Sequence, residues 1–151
     1  AMLGLSLGTT PEHIYRATVE AVTFGTRQVL ESFEAVGVDT DHVYVTGGIR
    51  HNRLWMQTTA DTLGRPVGLI DGENLTTRAL GILGVAAVSG EPVAEVAARF
   101  APAYTLIEPR PDAVAPLREA YDRYLAATTL TAGVSADLAD AAAGRRAVTI
   151  S

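Results

Sequence analysis

Cysteine and lysine are both absent from this 151-residue sequence, and each absence closes off chemistry. Without cysteine there are no disulfides, thiolate nucleophiles or thiolate metal sites, which excludes redox and zinc-finger roles. Without lysine no phosphate loop of the G-x-x-x-x-G-K-[ST] type can be built. His13, His42 and His51 lie far apart and show no HxH or HxxxH spacing, against a metal site. No serine sits in a G-x-S-x-G elbow, and no G-x-G-x-x-G follows a strand pattern, which disfavours a dinucleotide-binding domain. The longest apolar run, Ala79 to Val88, falls short of the ~18 residues that suggest a membrane span. No basic segment followed by an apolar stretch opens the chain, so a cytoplasmic location is expected, with no membrane partner. A formal charge of -5 and a pI near 5.1 argue against a phosphate-backbone binder, so nucleic acid is not an expected partner either.

What is present fits one domain, with 48% hydrophobic and 19% charged residues. The all-arginine basic set and the frequent alanine read as the imprint of a GC-rich genome rather than of function. Ala1 before Met2 reads as a residue left from an expression tag ahead of a start methionine.

Thr9 or Thr10 followed by Pro11 and Glu12 is a helix start: a hydroxyl cap, a proline where no donor is needed, and a carboxylate at the positive end. Apolar or small residues at Ile14, Thr18, Ala21, Gly25, Val29, Phe33 and Val36 keep helical spacing as far as Gly37. Glu12, Glu20, Glu31 and Glu34 on this helix read as a solvated face. A β-branched strand is predicted at Val43 to Thr46, stopped by Gly47-Gly48, then a helix from about Asn52 to Leu63 ending on Gly64. A second strand, Val67 to Ile70, closes on the Asp71-Gly72 turn. The helix from Thr76 to Ser89 is apolar nearly all round, which predicts burial on more than one side. Pro92 starts a short helix to Phe100, a Pro-rich loop follows, and an amphipathic helix near Pro116 to Ala127 carries Leu117, Tyr121 and Tyr124. Residues 1–127 are read as the domain and 128–151 as a weakly patterned tail, in which only Ala147 to Ile150 has strand character.

Strands alternating with helices give an α/β class with short parallel strands packed by several helices. Two strands leave both sheet edges unpaired, each with backbone donors and acceptors that need partners. The strongest local feature is the segment Thr46-Gly47-Gly48-Ile49-Arg50-His51-Asn52 between strand and helix. Glycines at the C-terminal end of a parallel strand let a ligand lie against bare backbone, and the next helix turns amide donors toward it. A simple turn accounts for the same residues. Turn formation also explains Asp71 and Glu73, although they too follow a parallel strand.

Several blocks then become recognisable. Gly4-Leu5-Ser6-Leu7-Gly8-Thr9-Thr10, Ile14-Tyr15-Arg16-Ala17 and Phe24-Gly25-Thr26-Arg27 come first. Val45-Thr46-Gly47-Gly48, Asn52, Leu54-Trp55-Met56-Gln57, Ala60-Asp61, Leu63-Gly64 and Arg65-Pro66-Val67 follow, and Ala79-Leu80-Gly81 closes the series. Together, over about Gly4 to Leu125, they resemble the C-terminal domain of the FGGY carbohydrate kinases, and are closer to its pentulose kinases of the ribulokinase kind than to its glycerol kinases. The resemblance implies part of a ribonuclease H-like, actin-like ATPase domain. It also implies an enzyme that transfers a phosphoryl group from ATP, with Mg²⁺, to a sugar or polyol hydroxyl. By the same resemblance Gly48 lies against the adenosine, Asn52 contacts the adenine and Gly47 permits the turn. Arg50 and His51 fall in a variable spacer, exposed to solvent or set against the base or ribose.

The same likeness implies that the family's catalytic aspartate, its phosphate loops, most sugar contacts and the first strands of this domain lie upstream of these residues. No catalytic residue is therefore assigned here, and the chain is expected to be inactive alone. It is expected to bind adenine nucleotide and to pair with the other kinase half or with itself. The alternative is a non-enzymatic remnant or interaction module; an upstream reading frame for the kinase N-terminal half would decide against it.

Overall fold

The computed structural model describes residues 2–72 and 74–148. Helix α1 (Pro11–Ala35) starts where the hydroxyl cap predicts it. Thr10 Oγ1 accepts from the His13 amide and His13 Nδ1 accepts from the Thr10 amide, so two donors left over by the helix start are satisfied reciprocally. Strand β1 (Val43–Val45) leads through a 3-10 turn (Gly48–His51) to α2 (Arg53–Leu63), which stops at left-handed Gly64. Strand β2 (Val67–Ile70) follows, then the helices α3 (Leu75–Ser89) and α4 (Val93–Arg99). Strand β3 (Tyr104–Ile107) returns to the sheet, and α5 (Pro111–Val148) closes the chain.

The sheet has the order β1-β2-β3 and is mixed, which corrects the purely parallel expectation. Val43 pairs with Val67 in the parallel β1–β2 ladder, while Ile107 faces Val67 across the antiparallel β2–β3 ladder. The expected Pro-rich loop therefore contains a strand. Pro102 and Pro109 flank it without entering its ladder, where a missing donor costs nothing. β3 rather than Ala147 to Ile150 covers the second edge of β2. Ala147 and Val148 belong to α5, and Thr149 and Ile150 lie outside the described residues.

Two small cores hold these elements. Met56 and Ala60 of α2 pack on Val67, with Val43, Val45, Ile49, Leu63, Leu69 and Ile107 around them. On the other side of α2, Phe24 of α1 meets Leu117 and Tyr121 of α5, with ring centroids 5.7 Å apart for Phe24–Tyr121 and 5.5 Å for Phe24–Tyr124. Arg27 joins all three helices. Its Nε donates to Glu31 Oε1 (2.8 Å), its Nη1 to the Thr62 carbonyl (3.2 Å), and its guanidinium carbon lies 4.2 Å from the centre of the Tyr121 ring. Glu31 also accepts from the Tyr121 hydroxyl at 2.6 Å, and Glu34 accepts from Thr40 and from Arg65 (3.2 Å). These two glutamates are thus partnered across elements rather than part of a solvated face.

Three further expectations are corrected by where the apolar surface goes. The buried face of α1 is Val19, Thr23 and Phe24, whereas Val29, Phe33 and Val36 from the predicted stripe are exposed. Helix α3 buries only Ala86; Leu80 and Val88 are 65% and 92% exposed, because its main neighbour among the described residues is the short α4. Helix α5 begins at Pro111 and runs unbroken past Ala127, where a tail was expected; an alanine-rich sequence keeps helical geometry without needing a patterned face. Among the described residues no helix is long and apolar enough to cross a membrane.

Burial, and then the hydrogen bond to and charge of Glu31, push the Tyr121 phenol up to about 12. Its pKa in the unfolded chain is about 10, so the neutral phenol favours the fold; that contribution is complete below about pH 10 and is lost as the pH rises through the folded value. Urea melts between about pH 9 and 12 should show stability falling with pH, and Tyr121→Phe should flatten the fall. Equal slopes for the two proteins would rule this linkage out.

Candidate functional site

The site begins where β1 ends. Gly47 has φ 83° and ψ -161°, a region that essentially only glycine enters, and this conformation turns the chain from the strand into the 3-10 turn. Arg50 N–H donates to the Gly47 carbonyl (3.3 Å) and Asn52 N–H to the Ile49 carbonyl (2.9 Å), which closes the turn. Ile49 anchors it by packing into the Met56 core. Gly47 and Gly48 both face open space: a Cβ added to either would meet no atom within 4 Å.

Asn52 ends the turn and starts α2. Its Oδ1 accepts from the Trp55 amide at 3.1 Å, the capping bond that the helix start requires. Its Nδ2 donates to the Tyr15 hydroxyl of α1 at 2.6 Å. An amide carries two lone pairs and two N–H groups, so one of each remains for a ligand. Arg50 ties the loops after the two parallel strands together, donating from Nη1 to the Gly72 carbonyl (2.8 Å) and from Nε to His51 Nε2 (3.2 Å). Arg50 is half-buried and His51 exposed. Asp71 is exposed beside Gly72, and Glu73 lies outside the described residues.

Gly47, Gly48 and Asn52 therefore share one turn on the C-terminal side of the parallel strands. Sequence reasoning missed Tyr15 and the Arg50–Gly72 tie. Both are contacts between distant segments, and no local pattern in the sequence marks them. A cleft of about 750 Å³ lies elsewhere, between residues 2–9 and the face of α1 bearing Ile14, Ala17, Ala21 and Val22. It shares no residue with the turn, and its apolar lining gives it no polar group to orient a ligand beyond His13 and a few hydroxyls. The glycine turn is the better candidate on chemistry.

Residues 1–90 match the FGGY family of carbohydrate kinases, C-terminal domain. This chain belongs to that family. A ribulokinase from Anoxybacillus flavithermus is 38% identical over 89 residues, which are 58% of this chain and 15% of that protein. The crystal structure of a xylulose kinase from Rhodospirillum rubrum matches 89% of this chain and 28% of its own, with a TM-score of 0.76 at 26% identity. A xyloylose kinase from Brucella ovis, with a TM-score of 0.82 at 22% identity, agrees in fold over the same shares, 89% and 28%. This FGGY chain thus spans a small part of the length of the relatives it matches. The α/β class and the likeness to the ribulokinase branch hold; the family match ends at Gly90, while the structural likeness extends into the later elements.

The two glycines should respond oppositely to substitution. Gly47→Ala forces a side chain into a glycine-only conformation and should cost about 1–3 kcal/mol. Gly48→Ala points its methyl into open space and should leave the melting temperature unchanged. Thermal denaturation of both variants checks this, and equal losses would show that the turn is not held as described.

Proposed function

We propose that this chain is the nucleotide-binding C-terminal part of an ATP-dependent sugar kinase, which transfers a phosphoryl group from ATP to a sugar or polyol hydroxyl. The observation that carries it is the turn itself. Bare backbone at Gly47 and Gly48 ends a parallel strand beside an amide, Asn52, that retains one donor and one acceptor. Gly48 receives the flat adenosine, Asn52 addresses the adenine edge, and Gly47 supplies the geometry. The site belongs to the later part of a ribonuclease H-like domain, and the kinase works in the cytoplasm.

Phosphoryl transfer needs positioning, Mg²⁺ and a base that takes the hydroxyl proton. On this reading the chain holds the nucleoside, and the phosphates, Mg²⁺, sugar and base belong to the rest of the kinase. ATP, ADP and AMP should then bind this chain with similar, weak affinity, and Gly48→Val should abolish binding. The same preparation should release no ADP in response to pentuloses, hexuloses or glycerol. Calorimetry with the three nucleotides and a coupled ADP assay make the check. ATP bound far more tightly than AMP, or turnover that rises with protein and sugar, would overturn the division of labour.

The partner is the other kinase half or a second copy of this chain. Among the described residues the outer edge of β1 pairs with no strand. The sheet face opposite α2 exposes Tyr44, Tyr104 and Leu106, and the outer face of α1 exposes Val22, Val29 and Phe33. An unpaired edge beside apolar faces favours association. Light scattering on the purified chain should show mass that grows with concentration. A monodisperse monomer at every concentration would rule out the second copy and leave the other kinase half as the partner.

A further inference from the structure

We propose that Tyr15 of α1 is a positioning residue for the nucleotide contact, holding the Asn52 amide so that its remaining acceptor and donor face an adenine edge. The inference rests on the reading of Asn52 as the adenine contact. The Trp55 N–H decides which end of the amide is oxygen, because an N–H cannot be satisfied by Nδ2. With Oδ1 held there, Nδ2 points at Tyr15 and donates to its hydroxyl at 2.6 Å. The two bonds pin the amide plane at both ends, one from its own helix and one from a helix 37 residues earlier in sequence. One lone pair and one N–H are left over, and the N6/N7 edge of adenine offers the matching pair, an amino donor beside a ring-nitrogen acceptor. On that N6/N7 edge hypoxanthine puts a carbonyl in place of the amino group, presents two acceptors and loses the match.

Tyr15 itself gains little by packing. It is 52% exposed, so its hydroxyl contributes to the fold only as an ordinary surface hydrogen bond. Its consequence is for Asn52: without the hydroxyl the capping bond persists, but Nδ2 is free to swing away from the plane that fits the base.

The test titrates adenosine and inosine into the wild-type chain, Tyr15→Phe, Asn52→Ser and the double variant, with thermal melts of each. Serine keeps the helix cap and removes only the amide, which guards against loss of folding. Wild type should prefer adenosine, and Tyr15→Phe should bind adenosine about five-fold more weakly with a reduced preference over inosine. In the Asn52→Ser background Tyr15→Phe should add nothing. If Tyr15→Phe weakens both nucleosides equally in step with its melting temperature, or still weakens adenosine in the Asn52→Ser background, the positioning role is overturned. An unchanged preference in Tyr15→Phe overturns that role alone. A wild-type chain that binds neither adenosine nor ATP overturns the nucleotide reading, and this inference falls with it.

Discussion

A single carboxylate fixes how the elements meet. Asp61, in the last turn of α2, is 0% exposed, and a charge there is tolerable only with a full set of donors. It has them. Oδ1 accepts from Gln57 Nε2 (2.9 Å) and the Arg110 amide (2.7 Å), and Oδ2 accepts from Arg110 Nε (3.0 Å) and Nη2 (2.7 Å). The paired guanidinium bonds fix direction as well as distance. Gln57 adds a bond to the Glu108 carbonyl (2.9 Å), so the whole corner between β3 and α5 is fastened to one face of α2. The corner holds the end of β3 in place beside β2 and lays α5 across α1 and α2. The fork also holds Arg110 in its charged form, above its ordinary value, through the hydrogen bond to and charge of Asp61.

That constraint explains what could be read from the sequence and what could not. The bounds of α2 were legible because the chemistry that sets them is local: Asn52 caps one end and left-handed Gly64 stops the other. The same holds for the threonine start of α1 and for the glycine turn. Strand β3 was hidden because its four residues, Tyr104–Ile107, show no alternation strong enough to outweigh the flanking prolines. It exists because β2 offers an edge and Asp61 fastens the corner that follows. The role of Asp61 was equally hidden, since its partner Arg110 lies 49 residues away.

Helices α1 and α3 show the limit of reading burial from periodicity. Both carry more apolar surface than this chain can cover. On α1 the predicted stripe, with Val29 and Phe33, and the buried face, with Val19 and Phe24, are different sides of one helix. Helical spacing identifies apolar sides and does not say which neighbour each one meets. For α3 an all-round apolar sequence implied burial on several sides, and the sides are bare. The glycine turn escapes this ambiguity because its conformation, not its neighbours, demands the residue.

The placement of the turn also bears on how a nucleotide held there could serve catalysis. Adenine and ribose take no part in breaking the γ-phosphate bond, so contacts to them are equally strong in ground and transition states. Such uniform binding lowers KM without raising kcat, unless it is used to bring other groups into position. On the proposed reading, the work done at Gly48 and Asn52 becomes catalytic only when the surfaces around β1 and α1 are rigidly joined to the residues that hold the phosphates and the sugar. Asn52 lies at the start of α2, α2 is bound to α1 through Arg27 and Tyr15, and α1 carries the exposed apolar face on its outer side. On that reading, a partner seated on this face would reach Asn52 through two packed helices and a short series of hydrogen bonds. On the proposed reading, rigid coupling of this kind would let adenosine binding orient a reaction whose chemical groups lie in another part of the protein.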